Sequence, residues 1–363
     1  MHDVIVVGAG FAGAVSANLL ATKHKKRVLL IEQRDHIGGN CYDYRDQNNI
    51  LLHKYGPHLF HTSNQKVWDY LSQFSEWTPY EHKVLAHIDG KNVSIPFNFT
   101  TIRSLFAPTK AEELIELLLK NYTLNSKVPI LELKKNPNTQ LQELAEFIYA
   151  KVFVGYTAKQ WGLAPEELDS AVTARVPVFI GEDDRYFNDT YQALPKEGYT
   201  KLFENLLDHP NIEVKLSTPF VFDQTDKRDI IYTGKIDALF DYCYGELPYR
   251  SLDMRFETYN TPYFQKVTTV NYPNDYNFTR ITEFKHMYDY TSTSTTILKE
   301  FPQAHIRDKN TPYYPIFTSQ NQLNYEQYVA HAKTFKNLML LGRLAEYKYY
   351  DMDDVVQRVL DVL

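Results

Sequence analysis

The chain has 363 residues, long for a single core, so two or three structural units are expected. With 44 % hydrophobic and 23 % charged residues its composition is that of an ordinary globular protein and excludes disorder, collagen or a coiled coil. A net charge of −6 with no long basic run excludes a nucleic-acid or anionic-membrane surface.

Val4-Ile5-Val6-Val7 is a continuous β-branched run, the pattern of a strand buried on both faces of a parallel sheet. An Ala/Leu-rich helix is predicted over 11–20 and a second strand over 28–31, completing a βαβ unit of about 30 residues. Short strand-like runs at 84–87 and 92–95 follow, then helical periodicity at 111–120 and 141–154, punctuated by Pro129 and Pro137. Further strand-like runs at 176–180, 267–270 and 295–298, bounded by Gly, Pro, Asn and Asp, are predicted to complete a second, antiparallel sheet. The segments 229–234 and 337–343 are apolar strands that stop at glycine, and both are predicted to return to the first sheet. The apolar spacing of Val355, Val356, Val359 and Leu360 predicts a closing helix, with acidic residues at its start.

Only Cys41 and Cys243 are present, too few for a disulfide framework and without metal-ligand spacing, which suits a reducing compartment. The first apolar run lacks a preceding basic segment and no stretch approaches the ~18 apolar residues of a membrane span, so a cytoplasmic protein is expected. The 28 tyrosines fit a wet, aromatic-lined cleft and equally a compositional bias.

Gly8-Ala9-Gly10-Phe11-Ala12-Gly13 sits between the first strand and the first helix, the context a dinucleotide fingerprint requires. Gly8 permits the tight turn, Gly10 the approach of a pyrophosphate and Gly13 close helix packing. Glu32 ends the second strand, where a carboxylate accepts from a ribose hydroxyl, and Arg34 just beyond can lie over adenine. A second glycine pair, Gly38-Gly39, follows at once, and no second G-x-G-x-x-G occurs among the 14 glycines. FAD rather than NAD is therefore predicted, with no separate NAD(P)H domain. The predicted fold class is α/β with α+β inserts. A discontinuous Rossmann-like FAD domain (1–75, 195–245, 325–363) is joined by a helical-bundle insert (100–170) and an antiparallel sheet domain (76–99, 171–194, 246–324).

Several stretches resemble the bacterial UDP-galactopyranose mutase family. They are 34–40, His53-Lys54-Tyr55-Gly56-Pro57-His58-Leu59-Phe60-His61-Thr62, Gly155-Tyr156-Thr157-Ala158-Lys159-Gln160-Trp161-Gly162 and Tyr186-Phe187-Asn188-Asp189. Tyr249-Arg250-Ser251-Leu252, Pro312-Tyr313-Tyr314-Pro315 and the run 342–352 complete the set, so the likeness extends from the first strand to the last helix. The resemblance implies that Arg175 and Arg280 clamp a diphosphate, a role for which forked guanidinium donors suit better than lysine. It also implies Tyr156 stacking on uracil, Trp161 over the sugar nucleotide, and Tyr186, Tyr314 and Tyr349 donating to phosphate. His82 falls near the sugar; His61 and His58 fall beside the flavin, in a loop without metal spacing, and no metal is expected. Cofactor contacts are implied for Gly8, Gly10, Phe11, Gly13, Glu32, Gln33, Arg34, Gly39, Asn40, His58, Gly234, Arg250, Gly342, Arg343, Tyr350, Asp351 and Met352.

No Ser-His-Asp, Cys-His or paired-carboxylate signature supplies a protein nucleophile. The resemblance implies instead attack of reduced FAD N5 on the anomeric carbon, contracting a pyranose to a furanose without net redox change. His82, the stretch 179–182 and a 271–280 segment one residue short depart from the family pattern. They leave the sugar and base open, with dTDP-fucopyranose or UDP-N-acetylgalactosamine as alternatives to UDP-galactose, and an amine-oxidase-like oxidoreductase as the distant one. A homodimer is the expected assembly.

Overall fold

A computed structural model of the chain describes residues 2–162 and 177–363. Its contacts divide the chain into two compact units: Met1–Tyr80, Asp189–Tyr249 and Pro312–Leu363 form the first, Glu81–Asn188 and Arg250–Thr311 the second.

The first unit is built on a five-stranded parallel sheet. Strand β1 (Val4–Val7) is buried throughout, with β2 (Val28–Ile31) on one side and Asp229–Tyr232 on the other, Val4 standing opposite both Val28 and Asp229. Leu338–Leu340 lies beyond Asp229–Tyr232, and Ile212–Lys215 forms the opposite edge next to β2. The two segments ending in glycine thus join the sheet as their apolar runs predict. Helix α1 (Phe11–Thr22) is buried from Phe11 to Ala21, because it lies between the sheet and two later helices, Tyr199–Leu207 and Met352–Val362. A helix apolar on all sides belongs in such a place. Elsewhere in this unit an antiparallel trio, Phe60–Thr62, Tyr191–Pro195 and Trp77–Pro79, carries a stack in which Trp68 lies 4.5 Å from Tyr191 and 4.9 Å from Trp77.

In the second unit six strands run in the order Tyr249–Tyr259, Thr295–Ala304, Arg280–Glu283, Thr269–Asn271, Val84–Ile88, Lys91–Ile95. Neighbours are antiparallel except where Thr269–Asn271 meets Val84–Ile88 in parallel. Helices Pro108–Asn121 and Thr139–Ile148 bury Leu114, Ile115, Leu118, Leu141, Leu144 and Ile148, in one core with Val84, Ala86, Ile88, Val93 and Ile95 of the sheet. Each such side chain contributes about 2 kcal/mol, and because the core is shared the helical and sheet segments form a single unit. Of the run 176–180, Val178–Phe179 pairs with Lys127–Val128.

The helix Tyr199–Leu207 follows Gly198, which has φ +94 and no side chain to cap it. Asp43, 156 residues earlier, does so instead: its carboxylate accepts the N–H of Tyr199 at 2.6 Å and of Thr200 at 2.8 Å. The Thr200 hydroxyl returns a bond to the Asp43 carbonyl at 2.8 Å. Burial raises the Asp43 carboxyl above its usual range, against the pull of the Thr200 and Tyr199 donors. Asp43→Ala leaves the buried Tyr199 N–H without its acceptor. It is expected to lower unfolding free energy by about 2–3 kcal/mol, read as a shifted denaturant midpoint at constant slope. An unshifted midpoint would remove Asp43 from this role.

Candidate functional site

The carboxyl ends of the parallel strands in the first unit converge on glycine. Gly8 follows β1 with φ +100, and a Cβ there would lie 2.2 Å from Thr233 Oγ1. Gly13 faces Gly8 across the turn, its Cβ position only 1.8 Å from the Gly8 carbonyl oxygen. Gly342, at φ +92, would meet Ala12 Cβ at 2.8 Å, and Gly39, at φ +56, the Gly10 Cα at 2.9 Å. Gly10 differs: its φ is −80 and a Cβ would have no neighbour nearer than 3.7 Å. The fold itself demands Gly8, Gly13, Gly39 and Gly342; nothing in the chain demands Gly10, and the absence of a side chain there fits a ligand that comes against the backbone.

Glu32, 6 % exposed at the end of β2, accepts the Ala9 N–H at 2.8 Å with one oxygen and the Arg34 N–H at 2.9 Å with the other. These bonds fix the carboxylate beside the glycine turn, and each oxygen has a second lone pair for a ribose hydroxyl. The Arg34 guanidinium lies 4.3 Å from the centre of the Tyr55 ring and donates to Asn40 Oδ1 at 3.0 Å. His36 stacks on Tyr42 at 3.8 Å and meets the Tyr55 hydroxyl at 2.8 Å, and burial lowers its pKa. Gln33 is exposed. The Phe11 ring turns into the core against Phe203 at 4.7 Å, so its backbone is the part that faces the turn. Gly234 lies where the Tyr232 hydroxyl folds back to donate to the Lys235 carbonyl; a Cβ would stand 2.6 Å from that hydroxyl.

The closing motif comes to the same place. Gly342 N–H donates to Glu346 at 2.9 Å, and Arg358 of the last helix holds the other Glu346 oxygen at 2.9 Å. Arg343 lies 5.6 Å from the Tyr314 ring, which stacks parallel to Tyr349 at 6.0 Å. Burial raises the Tyr350 phenol, with the Glu346 charge adding to it. Asp351 occupies the cap position of the helix Met352–Val362, its N–H bonded to Asp354 at 3.0 Å. Cys41, its thiol pushed up by burial, points its Sγ at Met352 Sδ, 3.6 Å away. The start of the last helix therefore touches the Gly38-Gly39-Asn40-Cys41 turn. His58 donates Nδ1–H to the Gly56 carbonyl at 2.8 Å, and its backbone N–H is accepted by His53, whose pKa burial lowers to about 3. His61 pairs with Asp189 at 2.9 Å, whose other oxygen accepts from Ser63 at 3.1 Å. Among the described residues no cluster of three His, Cys, Asp or Glu is arranged to hold a metal.

In the second unit Arg280 stands on a strand with Asn271 and Glu300 opposite it on either side. Its Nε donates to Glu300 at 2.6 Å, and that carboxylate is 1 % exposed. Tyr156 rides on the helix Gly155–Trp161 and is half-buried. His82 is buried between Tyr186, 5.8 Å away, and Phe187, 6.0 Å away, and its carbonyl accepts the Tyr186 N–H at 2.8 Å. Arg250 donates to the carbonyls of Gln160 at 2.9 Å and Lys159 at 3.1 Å. Its guanidinium is thereby committed to a helix end, a contact the motif alone did not suggest. Arg175 lies outside the described residues, as does the side chain of Trp161. Glu300, Asp189 and Glu346, which hold Arg280, His61 and Gly342, are absent from the sequence prediction. Asp189 and Glu346 fall within quoted motifs, and Glu300 does not.

A parallel sheet with a glycine cradle and a fixed acidic residue at its carboxyl edge defines a dinucleotide-binding protein of the flavoprotein type. The family model described as UDP-galactopyranose mutase matches residues 151–349, and that of an NAD(P)-binding Rossmann-like domain matches 6–74. A probable UDP-galactopyranose mutase of Klebsiella pneumoniae is 38 % identical, the match covering 99 % of this chain and 93 % of that protein. A dTDP-fucopyranose mutase of Escherichia coli is 35 % identical, covering 99 % and 97 %. The crystal structure of a reduced UDP-galactopyranose mutase superposes with a TM-score of 0.75 at 14 % identity, over 99 % of this chain and 92 % of that one. The chain belongs to the UDP-galactopyranose mutase family and is a flavin-dependent isomerase.

Because no protein atom needs the space at Gly10, Gly10→Ala is expected to fold normally yet bind FAD about tenfold or more weakly, at least about 1.4 kcal/mol. Thermal unfolding of the apo-protein and FAD titration by flavin fluorescence separate the two effects. Unchanged affinity would show that the cofactor does not approach there.

Proposed function

We propose that this chain interconverts UDP-galactopyranose and UDP-galactofuranose, without net redox change, to supply the furanose for cell-surface polysaccharide. The observation that carries the nucleotide-sugar reading is Arg280, a strand guanidinium whose Nε is fixed by the buried carboxylate of Glu300. Such a fork, oriented before the ligand arrives, suits the oxygens of a diphosphate.

When bound, reduced FAD would supply the nucleophile for the anomeric carbon. The chain's own residues orient and shield. Arg280, with Arg175, neutralises the departing diphosphate and keeps it in place to return. Tyr156 offers a face to uracil, Trp161 covers the sugar nucleotide and excludes water, and Tyr186, Tyr314 and Tyr349 donate to phosphate oxygens. His82, packed on Tyr186, positions the sugar side of this group. The N-terminus of the last helix, at Asp351 and Met352, favours negative charge on a reduced flavin ring. His61, oriented by Asp189, and His58 lie on the flavin side. Glu32, Gln33, Arg34, Asn40 and Arg343 serve the dinucleotide, together with the glycines. The near-equal similarity to mutases of different sugar and base makes dTDP-fucopyranose the second candidate. We place the enzyme in the cytoplasm as a homodimer; no helix among the described residues is long and apolar enough to cross a membrane.

The test is incubation of dithionite-reduced enzyme with UDP-galactose, UDP-N-acetylgalactosamine and dTDP-fucose, reading furanose by chromatography. UDP-galactose should turn over fastest, and oxidised enzyme should be inactive. Oxygen consumption without furanose would make the protein an oxidase. Arg280→Lys keeps a cation beside Glu300 but loses the fork. It should lower kcat/KM by roughly ten- to a hundredfold, the value of one or two charge-assisted hydrogen bonds, with flavin absorbance intact. Full activity in that variant would refute the clamp.

A further inference from the structure

We propose that Arg250 is a positioning residue for the nucleotide, acting by holding the C-terminal end of the helix that carries Tyr156. The inference rests on the reading of Tyr156 as the face for the base.

The helix Gly155–Trp161 continues from Thr139–Ile148 through the π-helical turn Tyr149–Val154, and its last carbonyls have no partner within the helix. Arg250, near the start of the strand Tyr249–Tyr259, takes two of them: Nε reaches Gln160 O at 2.9 Å and Nη2 reaches Lys159 O at 3.1 Å. A cation at this end also opposes the helix dipole favourably. The next residue, Gly162, turns the chain at φ +67, and a Cβ there would fall 2.8 Å from Arg250 Nη1. The guanidinium thus fills the space a side chain would need. The rest of the helix is tied to one loop of the same unit. Gly155 packs so tightly that a Cβ would lie 2.3 Å from Pro273 O, and Lys159 Nζ donates to Tyr272 O at 2.9 Å and Asn274 O at 3.2 Å. Burial lowers the pKa of both Arg250 and Lys159. Both cations are partly buried and held by carbonyls, and a planar fork reaches two successive acceptors where an ammonium does not. The loop 272–274 that receives Lys159 also meets Gly155, so one loop seats the helix at two points.

An anchor of this kind sets the affinity for the nucleotide and leaves the flavin alone. A direct cofactor contact at Arg250 does the reverse, and the two are separable. The experiment titrates UDP into FAD-loaded enzyme by calorimetry, for wild type, Arg250→Met, Arg250→Lys, Gly162→Ala and Tyr156→Ala, with the FAD-to-protein absorbance ratio recorded for each. Arg250→Met and Gly162→Ala should each weaken UDP about tenfold, the loss of one to two hydrogen bonds. Arg250→Lys should fall between them and wild type. KM for the sugar nucleotide should rise in step while kcat stays within about twofold. Because Gly162→Ala leaves Arg250 itself intact, it keeps the test open should Arg250→Met fold poorly by circular dichroism. Wild-type UDP affinity in Arg250→Met, or loss of FAD with UDP affinity retained, overturns the proposal. If Tyr156→Ala weakens UDP and Arg250→Met does not, the anchor alone fails; if Tyr156→Ala binds UDP as wild type does, the reading of Tyr156 fails with it.

Discussion

Three backbone segments share a few ångströms at the first turn of the chain. The Gly8 carbonyl sits where a Gly13 side chain would be, and the Thr233 hydroxyl, donating to the Val7 carbonyl at 2.7 Å, sits where a Gly8 side chain would be. This closeness brings α1 down onto the sheet end, so that its first N–H groups and the carboxyl edges of four strands face one space. The consequences spread outward. A helix lying that near the sheet must be apolar on every side, as α1 is, and two later helices must cover it. The turn at Gly342 then fits against Ala12 because alanine is all that position leaves room for.

Turns near and far in sequence are then held by carboxylates that have lost most of their water. Glu32 takes the N–H groups of Ala9 and Arg34, Asp43 those of Tyr199 and Thr200, Asp237 those of Ala238 and Leu247, and Glu346 that of Gly342. Each of the four closes a turn whose donors no helix or strand would satisfy, and a buried donor left alone is costly. Glu300 is the exception in kind, since it spends its bond on the side chain of Arg280. A buried ion pair is weak evidence for stability. What this one does is hold a long, flexible side chain in one orientation on a rigid strand, which is the requirement for binding an anion without ordering the cation afterwards.

The parts of the fold visible in the sequence are those where local pattern and tertiary place agree. Val4–Val7 is apolar without alternation because both its faces are covered, and the helices of the second unit show a clean apolar stripe because one side meets a sheet. The strand Ile212–Lys215 escapes notice because it is an edge: its inward Ile212 and Val214 alternate with Glu213 and Lys215, too short a pattern to stand out. Tyr249–Tyr259 does alternate, Leu252, Met254 and Phe256 against Asp253, Arg255 and Glu257, yet it is absent from the strand-like runs predicted from the sequence. The glycines of the cradle are legible because steric need leaves a residue type behind. The partners of Arg280, His61 and Arg250 are not, since they lie 20, 128 and 90 or 91 residues away and nothing about a lone Glu, Asp or carbonyl announces the residue it will meet.

The two units differ in what makes their candidate residues suitable. In the first, backbone N–H groups, bare glycines and one carboxylate at a strand end do most of the work, features that recognise a dinucleotide whatever reaction follows. In the second, the candidates are side chains: Arg280 set by Glu300, Tyr186 packed on His82, and Tyr156 near a helix end held by Arg250. Backbone recognition tolerates substitution of its neighbours so long as the turn survives, whereas side-chain recognition changes with every contact behind it. Sequence drift within a shared fold therefore alters the sugar or the base more readily than the cofactor. The positions the sequence reading sets apart from the family pattern, His82, 179–182 and 271–280, all lie in the second unit.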